Sequence, residues 1–120
     1  MNLKEIAQEL VAGCRENRTT ENLGKIYAAD AVSVEAVDDQ GIGREAHGLD
    51  AIRGKHAWWD NATEVNDFSA SDPMIHGDDR FAVIFKVQGK FKETGESFDM
   101  NEVAIYHVAD GKIVREEFFY

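Results

Sequence analysis

Two glutamates stand where strands should carry apolar side chains. In "FDMNEVAIYHV", residues 98–108, the even positions are Phe98, Met100, Glu102, Ala104, Tyr106 and Val108. A period of two marks one face of a strand. In the closing "KIVREEFFY" the even positions Val114, Glu116, Phe118 and Tyr120 read the same way. If both even sets face the core, Glu102 and Glu116 lie close together in an apolar setting. A carboxyl taken out of water resists ionisation, so it can exchange protons nearer neutral pH. His56 supplies another titratable group, because Ile52, His56 and Trp59 recur at i, i+4 and i+7 in "LDAIRGKHAWWDNA". It can act as an acid or polarise a carbonyl oxygen. A satisfied core histidine fits the same spacing. Glu102 has a second reading too, as an ion-pair partner for Arg115 at a sheet rim.

The remaining polar groups read as structural. In "AVSVEAV", residues 31–37, Val32, Val34 and Ala36 make the cleaner apolar face, which turns Ser33, Glu35 and Val37 outward. His47 falls in a loop, His76 opens the "HGDD" turn, and His107 is on the outer register of its strand. Asp38–Asp39 and Asp78–Asp79 read as solvated turns. No pair of histidines or acids has a metal-ligand spacing such as H-x-x-x-H, so no metal is expected. "GIGREAHG" lacks the G-x-G-x-x-G fingerprint and "GKIVREE" is a turn and strand, so no nucleotide cofactor is expected either.

These groups need a scaffold, and its elements are legible. Asn2 with Glu5 three residues on forms a capping box for a first helix. Its apolar stripe is Leu3, Ile6, Ala7, Leu10, Val11 and Cys14. Thr19 or Thr20 can cap a second helix through "ENLGKIYAAD", with Leu23, Ile26 and Tyr27 inward. A valine-rich strand (31–37), a polar loop "DDQGIGREAHG" and a helix over 49–62 follow. Beyond it lie a weak edge strand broken at Pro73 and a strong one in which Phe81, Val83, Phe85 and Val87 alternate. Two more strands close a meander. Helices grouped on one side of such a sheet give an α+β domain, and 120 residues suffice for one domain with a core.

Composition narrows the partners. A net charge of −10 repels phosphate backbones and anionic bilayers, so neither nucleic acid nor membrane is an expected partner. No apolar run is long enough to span a bilayer, and charge interrupts "MNLKEIAQEL" too early for a signal peptide. One cysteine permits no internal disulfide and fits a reducing cytoplasm.

The order of elements, with "YAADAVSVEA", "AHGLDAIRGKHAWW" and "ADGKIVREEFFY", resembles the nuclear transport factor 2-like superfamily. Within it the resemblance is to the SnoaL-like polyketide cyclase and ketosteroid isomerase branch, across nearly the whole chain. It implies one SnoaL-like domain over 1–120: a cystatin-like α+β cone, in which a curved antiparallel sheet wraps the helices around an internal pocket. It turns Glu35 inward, to the isomerase's catalytic carboxylate base, and sets His56 where that enzyme has a pocket tyrosine. The isomerase's oxyanion pair falls at Ala104 and near Leu10, which argues against steroid isomerisation. The expectation is a small-molecule-binding protein, with Glu35, His56 and Glu102 available for cofactor-free acid–base chemistry on an apolar carbonyl compound. Tyr27, Trp59, Phe85, Met100, Tyr106, Glu116 and Phe118 would line the pocket. A non-catalytic ligand-binding or association domain is the alternative. Ile84, Val103, Ile105 and Phe119 on the outer sheet face suit a homodimer.

Overall fold

A computed structural model describes residues 1–38 and 41–120. Helix α1 (Leu3–Arg15) starts under the expected capping box. The Glu5 amide donates to the Asn2 side chain and the Asn2 amide to the Glu5 carboxylate, both at 2.9 Å. Two donors that a helix start leaves unpaired are thereby satisfied. Ile6, Ala7, Leu10 and Val11 are buried, and Cys14 packs against the same core.

The second helix is much shorter than its pattern suggests. α2 (Thr19–Leu23) has Arg18 at its N-cap, with no side-chain cap bond, and ends at Gly24. Strand β1 (Tyr27–Val34) therefore starts four residues before the valine-rich stretch. Tyr27 is drawn out of the helix by pairing with Ile113 near the chain's end, a long-range contact that local propensity cannot register. The presumed polar loop contains a short strand, β2 (Glu45–His47), paired to β1. Asp39 and Gln40, within that loop, lie outside the described residues. Helix α3 (Leu49–Ala62) has its expected bounds. After it, β3 (Thr63–Ala70) and β4 (Met74–His76) are separated around Pro73, which has no amide hydrogen for a ladder. The meander β5 (Arg80–Phe91), β6 (Ser97–Ala109) and β7 (Lys112–Phe119) completes the chain.

The sheet order is β2-β1-β7-β6-β5-β3, with β4 also paired to β5. The sheet is mixed, which corrects the all-antiparallel expectation: β1 runs parallel to β7. These strands are far apart in sequence, so no hairpin fixes their direction. The sheet is curved and unclosed. α1 packs toward β3 and β5, and α3 toward β1, β2 and β3, which gives an α+β domain with its core in the concavity. Asp110 and Gly111, both at positive φ (52° and 73°), make the tight β6–β7 turn.

A bulge in that hairpin changes which residues of β7 face inward. Val108 pairs with Ile113 and His107 with Arg115, so Val114 is the extra residue. Ile113, not Val114, is fully buried, and the even phase resumes at Glu116. On the outer face, Ile84 pairs with Val103 and Val103 with Phe119, a row of exposed apolar side chains across three strands. No helix is long and apolar enough to cross a membrane among the described residues.

Candidate functional site

The register places the candidate groups on a grid over the inner face. One row runs Ser33, Glu116, Tyr106, Phe81 across β1, β7, β6 and β5. The next holds Phe118, Ala104 and Val83, and the one after it pairs Glu102 with Phe85. Glu116 is thus deepest, and Glu102 lies two residues from Ala104 toward the opposite end of β6. Strand β1 presents Ala31 and Ser33 inward, both buried. Glu35, just past the end of β1, meets Lys55 on that side, as the family resemblance implies and contrary to the outward placement its strand pattern implied. The valines of 32 and 34 cover the other side of the strand.

Lys55, which sequence reasoning passed over, ties these strands to α3. Its ammonium lies 2.6 Å from Glu35 Oε1 and donates to Ser33 Oγ at 2.6 Å. It also sits 5.3 Å from the Phe118 ring centroid, within cation–π range. The Tyr120 hydroxyl donates to the other Glu35 oxygen at 3.0 Å. Lys55 precedes His56 and lies three residues from Ile52, so it shares the inner side of the helix. Its charge hid it, although a long aliphatic stem can carry an ammonium across apolar surface.

Deeper in, Tyr27 donates to Glu116 Oε2 at 2.8 Å. Burial pushes the Glu116 carboxyl up, while bonds from Tyr27 and Ser33 and the Lys55 charge draw it partly back. Burial pushes up the phenols of Tyr27 and Tyr106 as well, with the Glu116 charge adding to it. The Tyr106 ring stacks on Phe81, centroids 4.9 Å apart. Cys14 belongs to this interior: burial and then the Glu116 charge push its thiol up to about 12, so it is inert as a nucleophile.

Glu102 differs from both other glutamates. No hydrogen bond or ion pair reaches its carboxyl among the described residues. Burial first, then the charge of Glu35, push it up to about 7, against a smaller lowering by Lys55. The Arg115 partnership is not formed, since that guanidinium bonds Glu117 at 2.9 Å. Phe85, Met100 and Phe118 are the apolar neighbours that the grid gives Glu102. Phe85 stacks on Phe68 at 5.9 Å. Trp59 packs on Phe98 and Phe91, centroids 5.4 and 6.5 Å away, at one end of the concavity.

His56 stands apart from the carboxylates. It is half-buried, its Nδ1 has no partner, and no bond joins it to Glu35 or Glu102. Burial and then the Lys55 charge lower its pKa, with Asp60 opposing, so the ring is neutral at pH 7. Two surface grooves, of about 380 Å³ beside α1 and β4 and about 660 Å³ beside Arg44 and Arg115, lie away from the cluster. No group of three or more His, Cys, Asp or Glu side chains is placed to hold a metal among the described residues.

A curved, unclosed sheet wrapped on helices, with titratable side chains gathered on its inner face, defines a class of small α+β proteins. Comparison makes the assignment specific. A family profile described as a SnoaL-like domain matches residues 1–120, and the chain belongs to that family. It is 35% identical to a protein from Mesorhizobium loti described as a candidate SnoaL-like polyketide cyclase, with all of both chains covered and a TM-score of 0.91. A nuclear transport factor 2-like protein from Burkholderia thailandensis is 20% identical, with a TM-score of 0.83 over 99% of this chain and 90% of that one. A Catenulispora acidiphila protein with a ketosteroid isomerase-like fold, in complex with trimethylamine, is also 20% identical, with a TM-score of 0.71 over 97% and 85%. The last two share the fold. A search of curated proteins returns no match.

Proposed function

We propose that the protein binds a small apolar carbonyl compound in the concavity and moves a proton on it without a cofactor. The observation that carries this reading is the Glu102 carboxyl, unbonded, half-buried and pushed up to about 7. A base is most useful when its pKa lies near the working pH. Glu35, the base implied by the resemblance, is occupied by Lys55 and Tyr120, so Glu102 takes the proton from carbon beside the carbonyl. It returns the proton to another atom of the ligand, which makes the reaction an isomerisation or cyclisation. His56 is neutral and offers an N–H rather than a charge to a ligand oxygen. Tyr27 and Glu116 hold the floor, while Trp59, Phe85, Met100, Tyr106 and Phe118 give apolar walls.

A second reading is binding without chemistry. The buried, stacked Phe81 and Tyr106 and the packed Trp59–Phe91–Phe98 group favour it, because these rings take up space on the inner face. A panel of small cyclic ketones separates the two. Thermal shift identifies a binder, and proton NMR in D2O follows exchange at its α-carbon. Enzymatic proton transfer predicts exchange by the wild type and a loss of roughly a hundredfold or more in Glu102→Gln. A ketone that binds wild type without exchange supports the second reading. A panel with no binder sinks both.

The outer row Ile84, Val103 and Phe119 supports a homodimer through the sheet. The half-buried free thiol of Cys14 supports a reducing, cytoplasmic setting.

A further inference from the structure

The site contains three glutamates and a lysine, and the lysine does not treat the glutamates alike. An ammonium has three donors. Lys55 places one on Glu35 and one on Ser33, each at 2.6 Å, and rests on the face of Phe118. Ser33 stands beside Glu116 in the parallel β1–β7 ladder. Lys55 therefore grips Glu35 directly, reaches Glu116 through a hydroxyl, and leaves Glu102 unbonded.

We propose that Lys55 is the positioning residue of this site: by clamping Glu35 and Ser33 to α3, it reserves Glu102 as the carboxyl that meets the ligand. This rests on the proton-transfer reading above, but its geometry stands without any ligand. Lys55 and the Tyr120 hydroxyl engage the two oxygens of Glu35. Burial first and then the Glu35 charge push the Glu102 carboxyl up, while the Lys55 charge draws it partly back. The other groups around Glu102 are Lys55 from α3, Glu116 from β7, and Tyr106 on its own strand. Without Lys55, Glu35 would lose its ionic partner and stand open to the ligand beside Glu102.

The experiment needs no ligand. Carboxyl carbon-13 chemical shifts of the three glutamates are followed against pH in wild type, Lys55→Gln, Lys55→Arg and Glu35→Gln, with Glu102→Gln assigning the signal. In Lys55→Gln the Glu102 midpoint is expected to rise by about one pH unit, since an opposite charge is lost nearby. Lys55→Arg keeps the charge and is expected to return the Glu102 midpoint to within a few tenths of wild type. In Glu35→Gln the midpoint is expected to fall. A merely structural lysine would alter stability without ordering the midpoints this way. An unchanged Glu102 midpoint in Lys55→Gln, or a fall, overturns the proposal. If Lys55→Gln fails to fold, the Glu35→Gln and Lys55→Arg titrations still decide it. Because these titrations proceed without substrate, a failed ketone screen alongside ordered midpoints would reject the reaction and leave the clamp standing.

Discussion

Replacing Glu102 by glutamine should make the protein more stable at high pH and leave it nearly unchanged at low pH. The folded-state pKa is raised, from the ordinary 4.5 to about 7. Below pH 4.5 the carboxyl is protonated in both folded and unfolded chains, so it imposes no ionisation penalty. Between 4.5 and about 7 the unfolded chain ionises while the folded one holds its proton, and the folded state loses about 1.4 kcal/mol per pH unit. Above 7 both are ionised and the penalty is constant, on the order of 3 kcal/mol. Glutamine is nearly isosteric, cannot ionise, and breaks no bond, because none reaches the Glu102 carboxyl. The variant should therefore gain up to about 3 kcal/mol at pH 8, or on the order of 10 °C in melting temperature for a chain of this size. Urea unfolding of both proteins at pH 4, 6 and 8 reads the difference directly. The burial of Glu116 adds its own pH dependence, but both proteins share it and it largely cancels in the comparison. A difference that is the same at all three pH values, or a less stable variant at pH 8, would refute the claim that Glu102 is desolvated and unpaired.

Two further outcomes follow from the sheet. Phe119→Lys places a charge at the end of the exposed Ile84–Val103–Phe119 row, so light scattering at micromolar concentration should show a wild-type dimer and a variant monomer. A monomeric wild type rules out the outer-face interface. Gly89→Ala should cost about 1–3 kcal/mol in denaturant unfolding, since the added Cβ would lie 2.2 Å from the Glu64 carbonyl oxygen where β3 crosses β5. An alanine variant as stable as wild type would mean that β3 can shift its register there.

Much of the fold was legible because its signals are local. The Asn2–Glu5 capping box, the bounds of α3, the alternation of β5 and the Asp110–Gly111 turn each depend on a few adjacent residues. The failures are long-range. Nothing in "KIYAAD" announces that Tyr27 will pair with Ile113, and the pairing overrides a helical pattern. The bulge at Val114 is equally silent: alternation counted from Phe118 backwards puts Val114 inside, and one inserted residue puts Ile113 there instead.

The misreading of β1 shows why the site was harder to see than the fold. Hydrophobic patterning assumes that a polar side chain faces water, and on that rule Ser33 and Glu35 point out. The rule inverts when a partner arrives from elsewhere, because a paired polar group inside costs less than an unpaired one. Here that partner is Lys55, which bonds Ser33 and Glu35 across 22 and 20 positions. Once the lysine is present, inward-facing Ser33 and Glu35 are satisfied, and the apolar valines can cover the other side of the strand. Lys55 itself is masked by the same rule, since a charge beside the apolar Ile52–His56–Trp59 stripe reads as the helix's wet edge. Each half of the pair is unremarkable alone, and patterning does not join them, whereas the family resemblance turns Glu35 inward. Glu102 is the converse case. It occupies an inward position that patterning finds correctly, and it lacks the partner that would make it structural.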